Sequence, residues 1–174
     1  MNRKIAHLLL AAGFFSVLGS LATTAEAADE AQQRVELAKA LAGAKVTLVS
    51  GLRASASKGK PISAKFEVED GKLQLSVYTV KAGGFSEVVV NPTSGKVDKA
   101  EAITDKDDLE HAKTQKAAMD KAKLTLLAAA DKAQKANSGY QAVSVYPQME
   151  ASYPVAEVTL LHGSDFKTVT VPLN

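Results

Sequence analysis

The sequence predicts an α+β protein built from two αβββ units, residues 28–98 and 105–174, each a helix packed on an antiparallel sheet. Two observations carry this expectation. Apolar residues recur every three or four positions over about 29–57 and again over about 105–136, and each stretch gives way to apolar/polar alternation. That change of period separates an amphipathic helix from a strand with one buried face. Short strings also return: K-V-T-L-V at 45–49 corresponds to K-L-T-L-L at 123–127, and G-G-F-S-E-V-V-V at 83–90 to S-D-F-K-T-V-T-V at 164–171. Two similar units would show such matches. Short Ala- and Val-rich strings also match by composition, so convergent patterning is the alternative.

In the first unit Val35, Ala38, Leu41, Ala42, Val49, Leu52 and Ala56 mark the helix, with an interruption expected near Gly43 or Gly51. The breakers S-K-G-K-P at 57–61 end it. Ile62, Ala64, Phe66 and Val68 then alternate with Ser63, Lys65, Glu67 and Glu69, which predicts a strand with its charged face in water and a two-layer architecture. Asp70-Gly71 is a strong hairpin signal, and Leu73, Leu75 and Val77 resume the alternation beyond it. A third strand is expected over Phe85–Val90 and a turn over Asn91–Gly95, after which 96–104 read as a linker. Thr104 with Asp105, Asp107 and Asp108 resembles a capped helix start. That second helix should bury Leu109, Met119, Ala122, Leu126, Leu127 and Ala130 and stop at Asn137-Ser138-Gly139. Three further strands are expected over Tyr140–Tyr146, Val155–Leu161 and Phe166–Leu173.

The N-terminus predicts export. Arg3 and Lys4 precede an apolar stretch from Leu8 to Ala22, and Ala25-Glu26-Ala27 is a small-x-small cleavage pattern, so residues 1–27 read as a removable signal peptide. The stretch is broken by Gly13 and Gly19 and falls short of the roughly 20 residues a membrane-spanning helix needs. A periplasmic or secreted location without a lasting anchor is therefore expected. Cysteine is absent, so the fold must stand on hydrophobic burial and thiol redox chemistry is excluded. The full chain carries a formal charge of +2, with lysines interleaved among acids and alanines, which is not a nucleic-acid-binding surface.

The stretch from Ala44 to Val97 resembles the PepSY domain, a module found in propeptides of thermolysin-like metalloproteases and in exported bacterial proteins. The resemblance rests on the helix, on K-F-E-V-E-D-G-K-L-Q-L-S-V-Y, and above all on F-S-E-V-V-V-N-P-T-S-G-K-V from Phe85 to Val97. Asn91 stands where the family commonly has Asp, and both residues suit a turn. The second unit is similar to a degenerate copy that ends before any such turn. The resemblance implies a helix on an antiparallel sheet and a role in binding or restraining another protein, often a peptidase.

Beyond the signal peptide only His111 and His162 are imidazoles, and there is no G-x-S-x-G elbow around Ser86, Ser94 or Ser164, so no enzyme and no cofactor are expected. Asp107 and His111 share a helix face but are too few for a metal site, and Asp105, Asp107, Asp108 and Glu110 lack the calcium-loop spacing. A charged first turn facing water is the plainer reading. Lys113, Lys116, Lys121, Lys123, Lys132 and Lys135 could touch anionic lipid, but they also describe an ordinary solvated face. The segment Y-P-Q-M-E-A-S-Y-P, read as the connection between two strands, nominates Tyr146, Met149 and Tyr153 as a partner contact, because Tyr and Met favour interface centres and Pro stiffens a loop. The competing reading is a stiff hairpin whose tyrosines cover the sheet. The expected function is an exported protein-binding module, with a small-molecule or metal carrier as the alternative.

Overall fold

A computed structural model describes residues 24–174. The signal peptide expected over 1–27 lies outside the described residues, apart from the backbone of 24–27, which already belongs to the first helix.

The interruption expected near Gly43 or Gly51 falls at Gly43 and divides the stretch 29–57 into two helices, α1 (Thr24–Leu41) and α2 (Leu48–Ser55). The break follows from backbone chemistry. Lys45 and Val46 both donate their N–H groups to the Pro92 carbonyl, at 2.9 and 3.1 Å. Thr47 then restarts the helix with a reciprocal capping box, in which Ser50 N donates to Thr47 Oγ1 at 3.1 Å and Thr47 N to Ser50 Oγ at 3.0 Å. Such a cap is worth about 1 kcal/mol. The break shifts the helical phase, so Ala42 and Ala56 face solvent, as does Val35, which is 65% exposed.

Three strands follow: β1 (Lys60–Glu69), β2 (Lys72–Lys81) and β3 (Gly84–Val90). Asp70 and Gly71 have φ values of 50° and 72°, the positive pair that a type I′ hairpin turn needs and that Asp-Gly supplies at low strain. The segment 96–104, expected as a linker, instead holds β4 (Val97–Ala102), which pairs antiparallel with β3. Its V-D-K-A-E-A sequence lacks an apolar alternation because the strand is a mostly exposed edge, where charged residues discourage pairing with another chain.

The second half opens with α3 (Lys106–Lys121) and α4 (Leu126–Lys135), two helices where one was expected. Lys123 and Leu124 donate to the Leu173 carbonyl at 2.7 and 2.9 Å, and Thr125 caps α4 by accepting from Ala128 N at 3.2 Å. The chain ends in β5 (Gln141–Glu150), β6 (Tyr153–His162) and β7 (Asp165–Pro172).

All seven strands form one antiparallel sheet in the order β4-β3-β2-β1-β5-β6-β7. The two separate sheets expected from sequence are thus joined at the centre by β1 and β5, through the pairs Ala64↔Val145 and Lys65↔Ser144 alone. On one face Ala64, Phe66, Leu75, Val77, Val88, Val145 and Val158 make the core under α2 and α4, and Phe66 is 5% exposed. Full burial of each large apolar side chain contributes about 1.5–3 kcal/mol. The approach is close: a Cβ at Gly51 on α2 would lie 2.0 Å from Leu75 Cδ2.

The opposite face is not left to water. Tyr78, which shares that face with Ser63 and Glu87, donates its hydroxyl to Asp108 of α3 at 3.0 Å. Arg34 of α1 lies over the ring of Phe166 on β7, 5.7 Å from its centroid. Helices therefore cover both faces, and the expected two-layer arrangement gives way to helix, sheet, helix. Lys65 and Glu67, expected in solvent, are largely covered and pair at 2.5 Å, while Glu69 is exposed.

A polar groove as the candidate functional site

The alternation that gives β1 its charged face also gives the neighbouring strands a polar one. Through the register, Ser63, Lys65 and Glu67 lie beside Tyr78, Ser76 and Gln74 on β2, and Lys65 lies beside Ser144 on β5. This polar strip is roofed by α1 and α3. Buried polar groups must find partners, and most of these do. Gln74 Nε2 donates to Glu67 Oε1 at 2.9 Å, and Ser76 Oγ donates to Glu87 Oε1 at 2.5 Å. Burial, reinforced by the carboxylates of Asp108 and Glu87, pushes the Tyr78 phenol up, so it stays protonated and donates.

Three atoms do not find partners. Among the described residues, Arg34 Nε, Gln115 Oε1 and Tyr146 Oη are buried without a hydrogen bond. All three line this one groove. Gln115 and Tyr146 border a small cavity with Ser63, Lys65 and Asp108, about 20 Å³ in volume, which is room for one water. Arg34 and Tyr146 border a larger one of about 200 Å³ with Lys65, Glu67, Phe66, Val143 and Phe166. The larger cavity lies beside the β1–β5 junction, where the strands pair at only two positions, and α1 contributes Gln33, Arg34, Glu36 and Leu37 to its lining. Burial, with a lesser contribution from the Glu67 carboxylate, pushes the Tyr146 phenol up as well. It is a neutral hydroxyl with a proton to donate and no acceptor in reach.

The residues nominated from sequence do not assemble into one contact. The connection expected over Tyr146–Pro154 is strand almost throughout, turning at Ala151 and Ser152. Tyr146 points into the groove, whereas the register pairs Met149 with Pro154 on the other face. Tyr153, at the start of β6, is 64% exposed. Asp107 and His111 are both exposed, though His111 borders the small cavity, and Asp108, expected in water with them, is buried against Tyr78. Asp105 rather than Thr104 is the cap, accepting from Asp107 N at 2.9 Å and Asp108 N at 3.2 Å. His162 ends β6 with its ring edge-on to Tyr140, at 5.4 Å between centroids. The lysines of α3 and α4 are partly neutralised by ion pairs: Lys113–Glu110, Lys116–Asp120 and Lys135–Asp131, at 2.6–2.7 Å.

Sequence reasoning missed Arg34, Lys65, Gln115 and Ser144, because each looks like a solvated residue until the second helical layer is known. No group of three or more His, Asp or Glu among the described residues is placed to hold a metal ion, and no described helix is long and apolar enough to cross a membrane. Compared with known proteins, the chain matches no family model, no curated protein and no solved structure.

Proposed function

We propose that the protein is an exported binding module of the PepSY type that holds another envelope protein and restrains it, the partner being, by the resemblance, an exported peptidase. In this reading residues 1–27 are removed on export, the mature chain works in the periplasm or outside the cell, and its two halves are copies of one unit. The observation that carries binding is the groove: three buried polar atoms without partners border two cavities on the polar face of the sheet, one under α3 and one under α1. Each unsatisfied group costs about 1–3 kcal/mol, a cost that a bound group would relieve.

The residues behind the resemblance also behave as a unit. Phe85–Val90 lies in β3, and the Asn91 side chain then accepts from Thr93 N and Ser94 N at 3.0 and 2.9 Å, closing the turn whose Pro92 carbonyl anchors the α1–α2 link. A strand leading into an Asn- or Asp-closed turn is what the resemblance implies for this string.

Affinity capture from a periplasmic extract, with mass spectrometry of what is retained, tests the proposal. The expected result is retention of an envelope peptidase whose activity falls when the chain is added. Retention of nothing above an unrelated exported control would overturn it. The second reading, a small-molecule carrier, is favoured by the larger cavity, whose polar and apolar lining is that of a ligand site. For a metal carrier, the described residues offer no cluster of three or more ligands.

A further inference from the structure

We propose that the larger cavity is a site for a small carboxylate carrying a short apolar chain, as a free acid or as the C-terminal residue of a peptide. The inference rests on the reading of the protein as a binder, and it adds the chemistry of what is bound. Arg34, Lys65, Ser144 and Tyr146 line it together with Phe66 and Phe166, and the Arg34 guanidinium lies over the Phe166 ring, 5.7 Å from its centroid, so donors and apolar surface share the cavity.

The unspent groups decide the sign of the ligand. Arg34 Nε can only donate, and the Tyr146 hydroxyl, neutral at ordinary pH, has its proton free. Of the cavity's two carboxylates, Glu67 is already engaged by Lys65 at 2.5 Å and by Gln74 at 2.9 Å, while Glu36 is exposed and accepts from Gln32 at 3.5 Å. What is left over among the buried groups is donor capacity beside a guanidinium, the arrangement that recognises a carboxylate. A cationic ligand would leave both donors unsatisfied. Size sets the rest: about 200 Å³ lies below the roughly 300–1,000 Å³ of drug-sized sites, which leaves room for a carboxylate with a short chain and not for a nucleotide.

Three probes separate the sources: hexanoate, the tripeptide Ala-Ala-Leu, and the same tripeptide as its C-terminal amide. Binding to the full chain is followed by calorimetry and by amide chemical shifts around Arg34, Ser144 and Phe166. Hexanoate alone binding identifies a free acid, and the tripeptide binding as well identifies a peptide C-terminus; both support the site. Arg34→Gln and Tyr146→Phe should each weaken binding by about tenfold, the loss of one charge-assisted or buried hydrogen bond. Tyr146→Phe removes one atom that bonds nothing in the protein, so it keeps the fold even if Arg34→Gln does not. Amide and acid binding equally, no probe moving those resonances, or Tyr146→Phe binding as the parent does would each overturn the assignment. Capture of a peptidase alongside such a failure would leave the binding reading standing and remove only this ligand.

Discussion

The carbonyls of Pro92 and Leu173 do the same work in the two halves of the molecule. Each lies just beyond the third strand after its helix pair, β3 or β7, and accepts two successive backbone N–H groups from an interhelical link: Lys45 and Val46 in one case, Lys123 and Leu124 in the other. A threonine cap, Thr47 or Thr125, follows each link. The donors and caps fall within K-V-T-L-V and K-L-T-L-L, the strings whose recurrence is visible in the sequence. The C-terminal residues are therefore a structural clamp. Deleting Leu173 and Asn174 should cost more stability than Leu173→Ala, which keeps the carbonyl. Leu173 is fully buried, so the alanine variant should lose about 2–5 kcal/mol. The deletion should lose about 2–4 kcal/mol more, for the two bonds to the Leu173 carbonyl and the one that Leu173 N donates to Pro154. Urea denaturation of both variants measures the difference, and equal losses would mean that the clamp contributes nothing.

Gly51 makes a second prediction against the usual trend. Alanine in a helix interior is normally better than glycine by up to about 1 kcal/mol. Here the added Cβ would meet Leu75 Cδ2 at 2.0 Å and Cγ at 3.0 Å. Leu75 is fully buried in the core and has little freedom to yield. Gly51→Ala should therefore destabilise by about 1–3 kcal/mol, the usual cost of overpacking. Leu75→Val in the same chain should recover part of the loss. A neutral Gly51→Ala would show that the α2–sheet spacing adjusts.

What could be read from the sequence was whatever depends on local period and turn chemistry. The alternation in β1 and the Asp70-Gly71 turn declared the antiparallel hairpin, and the burial of Phe66 follows from it. What could not be read depends on tertiary partners. No glycine or proline marks the break after α3; its cause is the Leu173 carbonyl, far along the chain. Edge strand β4 has no buried face to impose alternation. The groove escaped notice for a related reason: Lys65, Glu67 and Ser144 alternate like residues facing water, and only the positions of α1 and α3 turn that polar face into an interior.

Glu157 gives a pH dependence of unusual sign. Burial, with the nearby Glu150 carboxylate adding to it, raises its pKa above the ordinary value of 4.5. The folded state then holds this proton more tightly than the unfolded chain does. Its contribution to stability is full below the unfolded value and is lost as pH rises through the folded one. Glu157→Gln should therefore gain on the parent protein as pH rises from about 4 to 7. Urea midpoints of the two proteins across that range measure it, and a gap that narrows toward neutrality would contradict the assignment.

Tyr78 and Tyr146 both stand on the helix-covered polar face of the sheet, yet removing their hydroxyls should have opposite effects. The Tyr78 hydroxyl donates to buried Asp108 at 3.0 Å, fixing α3 to β2. Tyr78→Phe takes away a charge-assisted bond inside the fold and should cost about 1.5–3 kcal/mol. The Tyr146 hydroxyl is buried with no partner, so the folded state bears its desolvation with no compensating bond. Tyr146→Phe should leave stability unchanged or raise it by up to about 1 kcal/mol. The contrast is internally controlled, since both changes delete one phenolic oxygen from the same layer. Denaturant unfolding of the two variants in the same buffer is the measurement. A clear loss of stability in Tyr146→Phe would mean that its hydroxyl has an acceptor when the protein is in water, and that the groove is filled by solvent bonds strong enough to compete with any ligand.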